Sequence, residues 1–261
     1  MLIPAITPNP RPRGLLLDAL DPLPVTGDRW REGVTFLPLG VIPVSSRDAA
    51  LCSGDVDGDP HDWTGGEDID LPMFKPFTIY DTENCSALDL DVDELGARTA
   101  ARVRLSLSRQ IAAELVSGEK SGGTSFADTA QTMPTRLGSE VASAMEGAVG
   151  AWFGDSQAIL HVPAAIAPLL AGSLSFVDGR WLTPTGHIVV FDSAYETDET
   201  GGDAYVTGPI QYHIGPNRFA SQPAVEYLDR TRNVVTGRTE REAIFAFDPA
   251  TVLRFPFTWP S

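Results

Sequence analysis

The sequence predicts an α+β fold, and three observations carry that reading. One long amphipathic helix fits residues 91–116, short β-rich runs lie on both sides of it, and no internal repeat organises the remainder. At 261 residues and 43% hydrophobic content, the chain can bury a sizeable core as one large or two modest units.

The elements follow in order. Residues 1–28 hold Pro4, Pro8, Pro10, Pro12, Pro22 and Pro24, which disfavour helix and predict an extended arm without a core of its own. Such an arm is either a disordered tail or a strap on a neighbour. Residues 29–44 and 69–80 read as extended segments, including Val34-Thr35-Phe36-Leu37 and Phe77-Thr78-Ile79-Tyr80. They flank an acidic, glycine-rich stretch at 52–68, so a long hairpin with a mobile tip is expected.

Leu88, Val92, Leu95, Thr99, Val103, Leu107, Ile111 and Leu115 then recur at steps of three and four. Arg98, Arg102 and Arg109 fall on another face of this helix. Asp89, Asp91, Asp93 and Glu94 stand at its start, where the helix dipole favours acids, and Gly118 is placed to end it. The stripe Leu95, Val103, Leu107, Ile111 is expected to pack on a sheet. A second helix is predicted over 135–152 on Leu137, Val141, Met145, Val149 and Trp152, followed by a buried strand at 158–162 and a short helix opened by Pro163. The turn Thr183-Pro184-Thr185-Gly186 introduces a strand to Asp192, residues 204–214 read as one strand, and 243–248 with 252–257 as a closing one.

Composition excludes several function classes. The net charge of −16 repels phosphates, so a direct nucleic-acid reader is disfavoured. The longest uncharged run, 162–177, is interrupted by Pro163 and Pro168 and falls short of a membrane span. The N-terminus lacks a basic patch followed by an apolar core, so a soluble cytosolic protein is expected. Cys52 and Cys85 are expected to be free thiols.

Chemistry-bearing motifs are sought and fail. Gly154-Asp155-Ser156-Gln157-Ala158 lacks the closing glycine of a nucleophile elbow and leads into a strand. Lys120 precedes Gly122-Gly123, so no phosphate-cradling loop forms. The acidic run 55–62 misplaces the glycine of a calcium loop and reads as a solvated loop. His61, His161, His187 and His213 are scattered, with His161 and His187 inside apolar strands as core or edge residues. No catalytic, cofactor or metal site is expected, and the chain is not read as an enzyme.

One cluster remains. Residues 229–242 form a charged stretch between strands, bringing paired Arg and Glu where a catalytic centre would bring His, Cys or Ser. Only Lys75 and Lys120 are lysine among 19 basic residues, and arginine suits bidentate carboxylate pairs at interfaces. A high-GC genome would give the same bias, and an exposed solubilising loop the same stretch. The interface reading selects Arg230, Arg232, Arg238, Glu240 and Arg241, with Trp30 and Phe36 at the base of the hairpin.

The order of these elements resembles the Hong Kong 97-type major capsid proteins of tailed bacteriophages, notably those infecting high-GC actinobacteria. The resemblance lies in Gln157–Pro163 followed by a small helix, Leu182–Val190, Ala204–Ile210, Arg232-Asn233 and Arg238–Ala243, and extends over most of 30–257. It is one of order and texture, without a diagnostic motif. It implies an extended arm (1–28), a long hairpin (29–80), a peripheral domain with a spine helix (81–135 and 236–261) and an axial domain (136–235).

It further implies an icosahedral shell around double-stranded DNA, built from hexamers and pentamers in the host cytoplasm, with a separate scaffolding protein or none, and a portal and decoration protein as further partners. DNA is enclosed without specific binding. Lys75 is the only lysine of the hairpin region, so the cross-linking of some members is not expected. The alternatives are an encapsulin-like compartment, a pentamer or minor virion component of the same fold, and an unrecognised enzyme.

Overall fold

The computed structural model describes residues 19–24, 27–35, 72–86, 92–153, 156–195, 197–220, 228–229 and 234–259. In chain order the elements begin with β1 (Asp21–Pro22), a 3-10 turn at Arg29–Glu32, β2 (Val34–Thr35), β3 (Met73–Phe74), β4 (Phe77–Ser86) and the long helix α1 (Val92–Ser117). Next come α2 (Phe126–Thr129), β5 (Gln131–Thr132), β6 (Arg136–Leu137), α3 (Val141–Trp152), β7 (Ile159–Pro163) and α4 (Ala167–Leu170). The hairpin β8 (Ser175–Val177) and β9 (Arg180–Leu182) leads to β10 (Ile188–Asp192), β11 (Gly201–Thr207), β12 (Ile210–Ile214), β13 (Arg218–Ala220) and β14 (Leu228–Asp229). β15 (Val234–Phe247) and β16 (Leu253–Thr258) close the chain.

Among the described residues these strands form a six-stranded sheet centred on β15, an eight-stranded sheet in the order β5-β16-β11-β7-β10-β9-β8 with β6 beside β16, and the small pair β2-β3. β7 and β10 run parallel in the middle of the larger sheet. Both are buried along their whole length because both sheet faces are covered. Leu160, Val162, Val189, Phe191, Ala204 and Val206 pack under Val141, Met145 and Val149 of α3. Ile159, Ile188, Val190 and Tyr205 of the opposite face join Phe126, Phe247 and α1 in the second core.

The helix stripe expected from the sequence is the buried one. Leu95, Val103, Leu107, Ile111 and Leu115 are each at most 5% exposed, and α1 lies on β4 and β15. The helix ends as expected, with Gly118 at φ 63° and its N–H donated to the Glu114 carbonyl at 2.8 Å.

Four expectations need correction. Residues 204–214 are two strands in different sheets, because Gly208 and the donor-less Pro209 break the run between β11 and β12. The stretch 229–242 is mostly not a turn: from Val234 it belongs to the 14-residue β15, in which Arg238, Glu240 and Glu242 alternate with a face that holds buried Gly237, Thr239 and Ala243. The second helix starts at Val141, after β6 pairs with β16 at Arg136 and Leu137. The arm is not free of its own core over 19–24, since Ala19, Leu20 and Leu23 are buried and β1 pairs with β12.

The base of the expected hairpin is present, with Val34 opposite Phe74 and Thr35 opposite Met73. However, Arg29–Glu32 is a 3-10 turn, and Phe77–Tyr80 pairs with β15. Sheet membership also divides the chain differently from the expected units. β12, β13 and β14 join the sheet of β4 and β15, whereas β5 and β16 join the sheet of β7 and β10.

Candidate assembly surface

β4 and β15 form a two-stranded ribbon in unbroken antiparallel register from Val234 opposite Ser86 to Ala243 opposite Phe77. Side chains alternate across a strand, so the ribbon has two distinct faces. One face carries Ile79, Asp81 and Glu83 with Gly237 and Thr239, and α1 covers it. Arg102 of the helix donates from Nε to Asp81 at 2.7 Å and from an Nη to Glu83 at 2.6 Å, and Arg98 reaches the other Glu83 oxygen at 2.8 Å. Partial desolvation opposes the charge on Arg102, but these hydrogen bonds outweigh it and hold its pKa above the ordinary value.

Small residues make this helix contact close. A side-chain carbon on Gly237 would lie 2.6 Å from Leu95, and one on Gly96 would lie 3.0 Å from the Phe219 ring. Sequence reading missed this wedge of Phe219 against α1 and β15. The two glycines are its only trace in the sequence.

The other face presents Thr78, Tyr80, Thr82 and Asn84 beside Thr236, Arg238 and Glu240. Tyr80 is 59% exposed. The Arg238 guanidinium lies 4.2 Å from the Tyr80 ring centroid, and its Nε is 2.6 Å from Glu240. Thr236 donates to Asn84 at 2.8 Å. The result is an ordered, exposed polar surface with an aromatic at its centre, a composition that suits a protein contact.

Of the residues selected for an interface, Arg238 and Glu240 share this open face. Arg241 instead donates to the Gly215 carbonyl at 2.9 Å, inside its own chain. Trp30 is corrected: it is 3% exposed and its ring meets that of His213 in a tilted contact at 4.8 Å, because the 3-10 turn lays it on the sheet as core. Arg230, Arg232 and Phe36 lie outside the described residues. A clasp that sequence reading missed flanks Trp30. Glu242 receives Arg31 at 2.7 Å, Arg218 approaches it at 3.8 Å, and Arg31 also meets Asp28. The hydrogen bond to Glu242 is the main influence holding the Arg31 pKa above its ordinary value.

Reactive residue types are used structurally. His161 is fully buried, with Nδ1 2.7 Å from the Tyr195 hydroxyl and Nε2 2.9 Å from the Thr207 hydroxyl. Burial lowers its pKa to about 3 and raises that of Tyr195. His187 accepts the Ala158 N–H through Nδ1, and the Ser156 hydroxyl donates to the Phe153 carbonyl. Among the described residues no group of His, Cys, Asp and Glu is arranged to hold a metal ion, and no helix is long and apolar enough to cross a membrane.

A long helix laid across a strand ribbon, joined to a second sheet under its own helix, defines the class by architecture. The chain matches the capsid of the native GTA particle, computed with C5 symmetry, at TM-score 0.60 and 13% identity, covering 100% of this chain and 95% of that one. It matches a chain of Mycobacterium phage Ogopogo at TM-score 0.58 and 12% identity, over 100% and 96%. A virus-like particle from Pyrococcus furiosus matches at TM-score 0.51 and 11% identity, over 92% of each. No family model and no curated protein matches the sequence. The fold is that of the Hong Kong 97-type capsid proteins.

Proposed function

We propose that this chain is the structural subunit of a closed icosahedral shell, the head of a tailed phage, and acts by self-assembly without catalysis. The observation that carries the reading is end-to-end similarity to the capsid of the GTA particle. Closed shells need heterologous contacts that close into rings. The open β4–β15 face, with Tyr80, Arg238 and Glu240, supplies an ordered surface for one such contact, and Arg230, Arg232 and Phe36 are proposed to extend it.

The shell is composed of hexamers and pentamers, assembles in the bacterial cytoplasm, and takes a separate scaffolding protein, portal and decoration protein as partners. A net charge of −16 suits a container that encloses DNA without adhering to it. An encapsulin-like compartment is the second reading, since the SrpI encapsulin of Synechococcus elongatus matches at TM-score 0.50 over 72% of this chain. Its shorter coverage favours the phage head.

Purified protein analysed by size exclusion and negative-stain microscopy tests the proposal. Hollow particles far above the 28.0 kDa of one chain are expected. A species that stays monomeric across concentration and salt, with or without a scaffold, refutes it. Nuclease-protected DNA in particles from infected cells separates a phage head from a compartment.

A further inference from the structure

The sheet centred on β15 has two outer sides, and they are finished differently. β1 covers the outer side of β12, whereas among the described residues no strand pairs with the outer side of β4. An uncovered edge presents a row of backbone N–H and C=O groups, a template for another chain. Neither proline nor lysine, the residues that ordinarily blunt an edge, occurs between Phe77 and Ser86. With β12 uncovered as well, copies could add β12 of one beside β4 of the next. That contact joins unlike patches, and it grows open fibres wherever its rotation does not close.

The cover on β12 is slight in backbone terms and firm in side chains. β1 pairs only at Asp21 and Pro22, opposite Gln211 and Tyr212, and the Leu23 N–H donates to the Tyr212 carbonyl at 2.7 Å. Successive N–H groups of a strand face opposite sides, so the donor that Pro22 lacks is one that would have faced outward. The strap is therefore itself a blunted edge. Leu20, Leu23 and Trp30 hold it down as part of the core shared with α1 and β15. Trp30 lies close because Gly215 has no side chain: a carbon there would stand 3.4 Å from the indole. The Arg31 guanidinium lies 5.2 Å from the Trp30 ring centroid, and its Nε donates to Glu242 of β15 at 2.7 Å. One aromatic anchor and one ion pair thus fasten a strand of two paired residues.

We propose that residues 19–24 and 28–32 form an autoinhibitory strap within the subunit. By covering β12 of its own chain, the strap keeps that edge from pairing with the open β4 edge of a second copy. Its release converts the sheet into a unit that polymerises from both ends. The device belongs to the isolated subunit and does not depend on the shell reading.

Dilute full-length subunit tests this. Trp30→Ala removes the anchor and is expected to speed deuterium exchange of residues 210–214 at least tenfold while the circular dichroism stays near wild type. The same protein should form elongated, thioflavin-binding assemblies at concentrations where wild type stays dispersed in sedimentation. Adding Thr78→Lys and Thr82→Lys puts charge on the β4 edge and is expected to return it to dispersed subunits, a rescue that plain misfolding would not show. Where Trp30→Ala loses its circular dichroism, Arg31→Ala opens the clasp with the apolar anchor intact and carries the same comparison. Faster exchange at 210–214 without self-association overturns the inhibitory role. Assemblies that persist with both lysines overturn β4 as the partner edge. Exchange at 210–214 in wild type as fast as in unfolded chain, or unchanged in the loosened variant, overturns the strap as a cover.

Discussion

Thr99 of α1 and Thr239 of β15 meet hydroxyl to hydroxyl at 2.6 Å, and both residues are fully buried. The Thr99 hydroxyl also lies 3.1 Å from the carbonyls of Leu95 and Gly96. When Thr99 donates to its own helix, its oxygen is left to accept from Thr239. A polar position on an apolar stripe thus fixes where the helix sits on the ribbon.

Thr99→Val is therefore expected to cost about 1–3 kcal/mol, because the buried Thr239 hydroxyl loses its partner. Adding Thr239→Val should recover part of the loss, since both orphaned groups are then gone. Denaturant midpoints at unchanged m values check this. A double variant weaker than the sum of the two single variants contradicts the pairing.

Leu107 tests the same contact through packing. It is 5% exposed against the ribbon, so Leu107→Ala should cost about 2–5 kcal/mol through the cavity it leaves. Leu107→Asp buries an unpaired charge and should abolish soluble subunit. An unchanged melting point in either variant would remove α1 from the core.

The helix was legible in the sequence because its buried positions repeat at helical spacing, and β7 and β10 because continuous apolar runs suit strands covered on both faces. β15 was not. Its buried positions against α1 include Gly237 and Thr239, which carry no apolar signal, and its charged residues face outward between them. Its pairing with β4 joins residues some 150 positions apart, a relation that local pattern does not encode. Trp30 was misplaced for a related reason. Its burial depends on His213 and Gly215, which reach it only once β12 has paired with β15.

The buried histidine sets a pH dependence. His161 has a folded pKa of about 3 against 6.5 in the unfolded chain, so between these values the unfolded state binds more protons. Its contribution is fully present above pH 6.5 and is lost as pH falls towards 3, with a slope of at most about 1.4 kcal/mol per pH unit. His161→Gln should be less stable at pH 7, since it cannot reproduce both contacts to Tyr195 and Thr207. Its stability should also fall less steeply than wild type from pH 6 to pH 4. Parallel pH profiles for the two proteins would show that His161 does not titrate on unfolding.

The open face of the ribbon makes the last prediction, and of the two arginines of the expected cluster among the described residues only Arg238 stands on it. Arg241 is occupied by the Gly215 carbonyl, so replacing it disturbs the subunit itself. Arg238 is 44% exposed and lies against the surface pair Tyr80 and Glu240. Exposed ion pairs are each worth about 0–1 kcal/mol, so Arg238→Glu should leave the circular dichroism and melting point of the subunit near wild type. Repeated at every subunit of a shell, a loss of that size should still shift assembly to higher protein concentration. Salt screens exposed charges, so the difference from wild type should shrink as salt rises from 0.05 to 1 M, a range over which the screening length falls to about 3 Å. Light scattering during assembly at several salt concentrations reads both effects. An Arg238→Glu protein that assembles at the wild-type threshold in low salt would make this face a solvated surface with no part in the contact between subunits.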